Sequence, residues 1–182
     1  MGAMRTVKFF AALTLFILVV LRFSVVGEDE NANAPLTPLA FLTAHEWTAK
    51  LPDAADGKIR SIHARFTWTE NRQAIRIDNH FMVDGKATPY VNGLYVWNPL
   101  KRVIAFWYTD ADGTFSEGTV TLADGKLIHE FQQDHRDGKT ETFVARVTPL
   151  PGGEGWDNEI LARKADTLTP VVKVRYLPDS GR

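Results

Sequence analysis

Residues 62–68, Ile-His-Ala-Arg-Phe-Thr-Trp, place apolar side chains at every even position and polar ones at every odd position. Successive side chains of an extended chain point to opposite faces, so a period of two marks a strand with one dry and one wet face. Residues 75–81, Ile-Arg-Ile-Asp-Asn-His-Phe, repeat the pattern with the odd positions inward, interrupted only by Asn79. Around these runs the dipeptide Asp-Gly recurs at 56–57, 84–85, 112–113, 124–125 and 137–138. Both central residues of a type I′ hairpin turn need positive φ, which Asp-Gly tolerates. Asn98-Pro99 adds a further turn signal.

Working outward, the same reading predicts strands at Trp47–Leu51, Tyr90–Trp97, Val103–Tyr108, Phe115–Leu122, Lys126–Gln133, Glu141–Thr148, Glu159–Arg163 and Val171–Tyr176. Val103–Tyr108 is apolar on both faces, which predicts cover on its outer side too. Pro38 to Leu42 suits one short helical turn, and no segment of the body sustains a helical period. Hairpin-linked neighbours make an antiparallel meander, and so many strands in an open sheet would leave long edges. Closure is the physical solution. The expected fold is therefore all-β: an antiparallel up-and-down barrel of about 8–10 strands spanning residues 38–178, with 179–182 as a tail. A two-sheet sandwich needs longer crossovers than these turns. A helix-grip fold needs a C-terminal helix where residues 170–176, PVVKVRY, read as a strand.

The N-terminal stretch has a different composition. Arg5 and Lys8 precede an uncharged apolar run, Phe9 to Leu21, followed by Arg22 and the short Val25-Val26-Gly27. A basic start, an apolar middle and small residues before an acidic stretch read as a signal peptide over residues 1–27. The competing reading is an uncleaved signal anchor, because Phe23 to Val26 extends the apolar run. Either places the body outside the cytoplasm, as a periplasmic or extracellular protein, membrane-anchored if the segment is retained. Residues 28–37, EDENANAPLT, read as a polar leader.

The whole chain of 182 residues carries 21 basic and 22 acidic side chains, a formal charge of -1. Residues 1–27 hold three of the bases and no acid, so the remainder has 18 bases against 22 acids and a charge of -4. That balance argues against a nucleic-acid partner. With no cysteine in the chain, a disulfide scaffold, a thiolate zinc site, a cysteine nucleophile and a lipoprotein anchor are excluded.

A short apolar segment, Leu39-Ala40-Phe41-Leu42, leads into Trp47. Tyr95, Trp97 and Pro99 form a Tyr-x-Trp-x-Pro run before the apolar-aromatic strand Ile104–Tyr108. Gly113 and Gly118 follow, and the chain ends on Lys173-Val174-Arg175-Tyr176. This body resembles the lipocalin-like (calycin) β-barrel domains of bacterial exported proteins across residues 36–178. The resemblance implies a structural lock in which a basic residue of the last strand, Arg175 or else Lys173, stacks on Trp47. His45 stands where that pattern has glycine. The haem-binding subgroup shows Gly-x-Trp-x-Gly-x-Gly, and the run from His45 to Leu51 holds none of those glycines, so no haem or other cofactor is expected.

Candidate chemistry is sparse. The five histidines, 45, 63, 80, 129 and 135, lack the i, i+2 or i, i+4 spacing that aims two rings at one metal, so no metal site is expected. His63 and His80 fall on the polar faces of their strands, and His135 falls in a turn. His129 shares register with Leu127 and Phe131 and so faces inward in one of two registers; the other puts Ile128 inside. Asn79 is an amide on an apolar face and needs a partner. Glu117 either joins it inside or faces solvent with Gly118 inward. No Gly-x-Ser-x-Gly, phosphate loop or dinucleotide fingerprint occurs, and Gly152-Gly153-Glu154-Gly155 reads as a loop.

Three functions remain. The first is non-catalytic binding of a small apolar or aromatic molecule, lined by Trp68, Asn79, Phe81, Tyr95, Trp97, His129 and Phe131, with Asn79 and His129 as polar anchors. The second is a cavity enzyme using His129 with Glu117 or Asn79 as acid–base groups. The third is an interaction module presenting Val103–Tyr108. Contact with a membrane is expected only through an uncleaved N-terminal segment.

Overall fold

The computed structural model describes residues 34–51 and 60–180. Residues 1–33, which hold the stretch read as a signal peptide and most of that read as a leader, and Asp56-Gly57 lie outside the described residues. The chain divides into two units, residues 1–32 and 33–182, and the described residues belong to the second.

That unit is a closed antiparallel barrel of ten strands. The strands are β1 (Trp47–Lys50), β2 (Arg60–Trp68), β3 (Ala74–Val83), β4 (Lys86–Asn98), β5 (Val103–Asp110), β6 (Phe115–Ala123), β7 (Lys126–Asp134), β8 (Thr140–Pro149), β9 (Trp156–Lys164) and β10 (Thr167–Pro178). Each strand pairs with its sequence neighbours. Four-residue β1 closes the ring, pairing Ala49 with Ile62 of β2 and with Tyr176 of β10.

The turns follow from their residues. Asp84-Gly85 and Asp124-Gly125 both have positive φ at the two central positions, as a type I′ hairpin requires. The other two described Asp-Gly pairs make wider loops. In each, only the glycine is left-handed, and its N–H donates to a carbonyl three residues back: Gly113 to Asp110 and Gly138 to His135. The turn between β9 and β10 carries no Asp-Gly signal; Ala165 takes the positive φ there.

Side chains at alternate positions face inward. Ile62, Ala64 and Phe66 of β2 and Ile75 and Ile77 of β3 are buried. Outward residues carry the charge, and three ion pairs sit directly across strands: Arg65 with Asp78, Arg146 with Glu159, and Arg175 with Asp157. Exposed pairs of this kind contribute about 0–1 kcal/mol each. Their main effect here is on register, since a one-residue slip would separate all three.

Gly93 and Gly118, inside strands, leave no room for a side chain. A Cβ on Gly118 would lie 2.2 Å from the Glu130 carbonyl oxygen, and one on Gly93 would lie 2.2 Å from that of Trp107. Only glycine fits there. Ahead of the barrel, a 3-10 helix, Ala34–Ala44, replaces the single turn expected at Pro38–Leu42. Its three-residue period stacks Leu36, Leu39 and Leu42 on one face, all buried. The helix lies against β2 and β4, and the indole N–H of Trp47 donates to the Leu42 carbonyl at 2.7 Å. It thereby caps the barrel end where β1 starts and β10 finishes. With Trp47, Ile75, Ile104, Val120 and Leu127, the helix leucines pack that end as a core.

Val103–Tyr108 departs from expectation. Its inner face, Ile104 and Phe106, is buried, but Trp107 on the outer face is 39% exposed, so the outer side is not sealed.

Candidate functional site

Above the packed end, the barrel holds a half-open cavity of about 320 Å³. This lies at the low end of the ~300–1,000 Å³ usual for small-molecule pockets. Its wall is drawn from the inward positions of the strands and from Leu42 of the helix. Asn79, Phe81, Tyr95, His129 and Phe131 all line it. Trp68 and Trp97 do not: they pack against the core from the ends of β2 and β4, and the Arg72 guanidinium sits over Trp68 at 5.5 Å. Strand ends lie at the barrel rim, so inward register alone does not bring a ring to the cavity.

His129 takes the inward register with Leu127 and Phe131. It is 5% exposed, and its Nε2 lies 3.1 Å from the Tyr95 hydroxyl, a bridge from β7 to β4 over the intervening β5 and β6. Phe106 packs edge-on against the imidazole at 5.3 Å, and Phe131 packs against Phe106. Burial in this apolar surround lowers the His129 pKa to about 4. The ring is therefore neutral at neutral pH. Burial likewise pushes the Tyr95 phenol upward, so it too is uncharged.

Several cavity residues were not predicted from sequence. A bulge between β3 and β4 leaves Tyr90 without a partner opposite Asn79 and His80, so Tyr90 and Val91, adjacent in sequence, both line the wall. Trp156 and Tyr176 stack at 3.8 Å between ring centroids. Asn158 lines the wall between Trp156 and Ile160 on β9. Its signal matches that of Asn79, an amide at an apolar position. It was missed because β9 starts at Trp156, not at Glu159.

The polar atoms of this wall are poorly satisfied. Asn79 Oδ1, Asn158 Oδ1, Trp156 Nε1 and His129 Nδ1 are buried without a hydrogen-bond partner. Most buried polar groups in folded proteins are paired, and each one left unpaired costs about 1–3 kcal/mol. Four such atoms on one cavity wall are the main anomaly of the described structure.

Two expectations are corrected. Glu117 is exposed on the outer face of β6, across from Trp107 and Gln132, while Gly118 faces inward. It cannot act as an acid beside His129. Arg175 does not stack on Trp47: its guanidinium makes a two-pronged pair with Asp157 at 2.7 and 2.9 Å on the outer face. Trp47 packs edge-on against Trp156 and His45, so an aromatic pair occupies the place expected for the cation.

Outside the cavity, His135 lies 3.3 Å from the Thr114 hydroxyl and 3.1 Å from a Glu141 carboxylate oxygen. The order hydroxyl, imidazole, carboxylate resembles a nucleophile relay. Thr114, however, is 3% exposed and donates its hydroxyl proton to Asp112 at 2.7 Å. That arrangement ties the β5–β6 loop to the β7–β8 loop. His63 and His80 sit opposite each other on the outer wall, near Asp179 and Asp78 respectively.

The chain was compared with known protein families and with curated proteins, and it matches none of them.

Proposed function

We propose that this protein is an exported, calycin-like barrel that binds a small apolar or aromatic molecule without transforming it. The observation that carries this reading is the cavity itself, an aromatic-rich chamber whose wall holds four unpaired polar atoms. An apolar ligand bearing polar groups would cover the rings and satisfy those atoms at once. The cavity-enzyme reading is weaker on chemistry. Glu117 is outside, a histidine with a pKa of about 4 is a poor base near neutral pH, and its Nε2 is already engaged by Tyr95.

The test is titration of the folded chain with N-phenyl-1-naphthylamine, a neutral fluorescent apolar probe. Saturable one-to-one binding is expected. Ala145 lines the cavity and pairs with His129, so Ala145→Trp should fill the space and weaken binding at least about tenfold while the barrel stays folded. Absence of saturable binding to folded wild-type protein would sink the reading.

A further inference from the structure

Resting on that binding reading, we infer that the cavity selects an electrically neutral ligand carrying amide or hydroxyl groups, and discriminates against carboxylates and ammonium ions. Among the described residues, the lining contains no Lys, Arg, Asp or Glu. Histidine is the only basic side chain among these described residues, and that ring is buried, neutral and bonded to a neutral phenol. Every fixed ionic pair described for the barrel strands lies on the outer face, where it cannot reach a ligand inside. A bound ion would thus lose its hydration and meet no counter-charge, which is the costliest form of polar burial.

What the wall does offer is neutral hydrogen bonding. The carboxamides of Asn79 and Asn158 line the wall from β3 and β9, on either side of the segment formed by β2, β1 and β10, and the oxygen of each is buried without a partner. The Trp156 indole adds an unpaired donor two residues from Asn158. An amide or alcohol both donates and accepts, so it can answer a carboxamide oxygen and an indole N–H together. A bare hydrocarbon answers neither, and a carboxylate can only accept. The rest of the wall, including Phe81, Phe106 and Phe131, supplies apolar area for a ring system.

The experiment compares four probes with one ring skeleton on the full chain at pH 7.5: naphthalene, naphthalene-2-carboxamide, 2-naphthoate and 2-naphthylmethylammonium. The carboxamide is expected to bind at least about tenfold more tightly than either ion and more tightly than naphthalene. Asn79→Leu and Asn158→Leu should each shrink the carboxamide's advantage over naphthalene while leaving naphthalene affinity equal or improved. Both replacements remove a buried carboxamide oxygen that has no partner, so thermal unfolding should show a folded protein. Naphthoate or the ammonium binding as well as the carboxamide overturns neutral selection but leaves the binding reading intact. So does naphthalene binding with no preference for the carboxamide, or loss of both affinities in equal measure in the Asn variants. Failure of all four probes to bind the folded wild type overturns the binding reading and this inference with it.

Discussion

At the scale of single residues, His129 makes the stability of the protein depend on pH between about 4 and 6.5. Its ordinary pKa of 6.5 drops to about 4 because the ring is buried among aromatics with no acid beside it. Between those values the unfolded chain binds a proton that the native barrel refuses. Stability is therefore fully present above pH 6.5 and is lost as pH falls toward 4. The difference amounts to about 3 kcal/mol. Urea denaturation followed across this range should show the loss, and His129→Phe should abolish most of it. Trp47 makes a different single-residue prediction. Its N–H is bonded to Leu42 and its ring is fully buried, so Trp47→Phe removes that bond and part of the buried ring. A cost of about 1–3 kcal/mol is expected from denaturant midpoints. The inward turn of His129 could not be read from alternation alone, because Ile128 and His129 made two registers plausible. Packing decided between them: the Tyr95 hydroxyl supplied a partner for the imidazole that only the inward register can reach.

At the scale of elements, strand identity was legible because each strand keeps one wet face. All ten predicted strands are present, with ends displaced by a few residues. Turn chemistry was legible where Asp-Gly stood and not where Ala165 or Arg72 adopts positive φ, since nothing in those residue types announces it. The Asn158 omission has the same root: a strand drawn short hides the register of its first residues. Strand glycines with no room for a Cβ carry an element-scale prediction. Gly118→Ala would drive a Cβ into the Glu130 backbone, and backbone cannot move aside without breaking the β6–β7 ladder. It should destabilise by more than about 2 kcal/mol, read from thermal unfolding, whereas Gly118 and its neighbours show no positive φ that would explain such a loss by strain. In the capping helix, Leu39 is wholly buried, and Leu39→Ala should cost about 2–5 kcal/mol.

At the scale of the whole molecule, the decisive event is closure. β1 contributes only four residues, yet it pairs with both β2 and β10 and so removes two edges that would otherwise be open. Its contact with β10 joins residues near the start of the described body to those near its end, and loops of that length are slow to close. Folding on the millisecond-to-second scale is expected in stopped-flow refolding. Ala49 sits at the closure point, fully buried between Ile62 and Tyr176, and Ala49→Glu should open the seam, giving a less cooperative unfolding transition. Sequence by itself determined the strand set, most turns, the antiparallel order and the need for closure, because alternation and turn chemistry are local. It also flagged Asn79 as an amide out of place. Only the tertiary structure decided that Trp68 and Trp97 sit at the rim, that Glu117 and Arg175 face outward, and that Tyr95 and His129 meet across the barrel. Which side chains share a cavity depends on bulges, strand ends and closure geometry, and these arise from pairings between residues far apart in the chain.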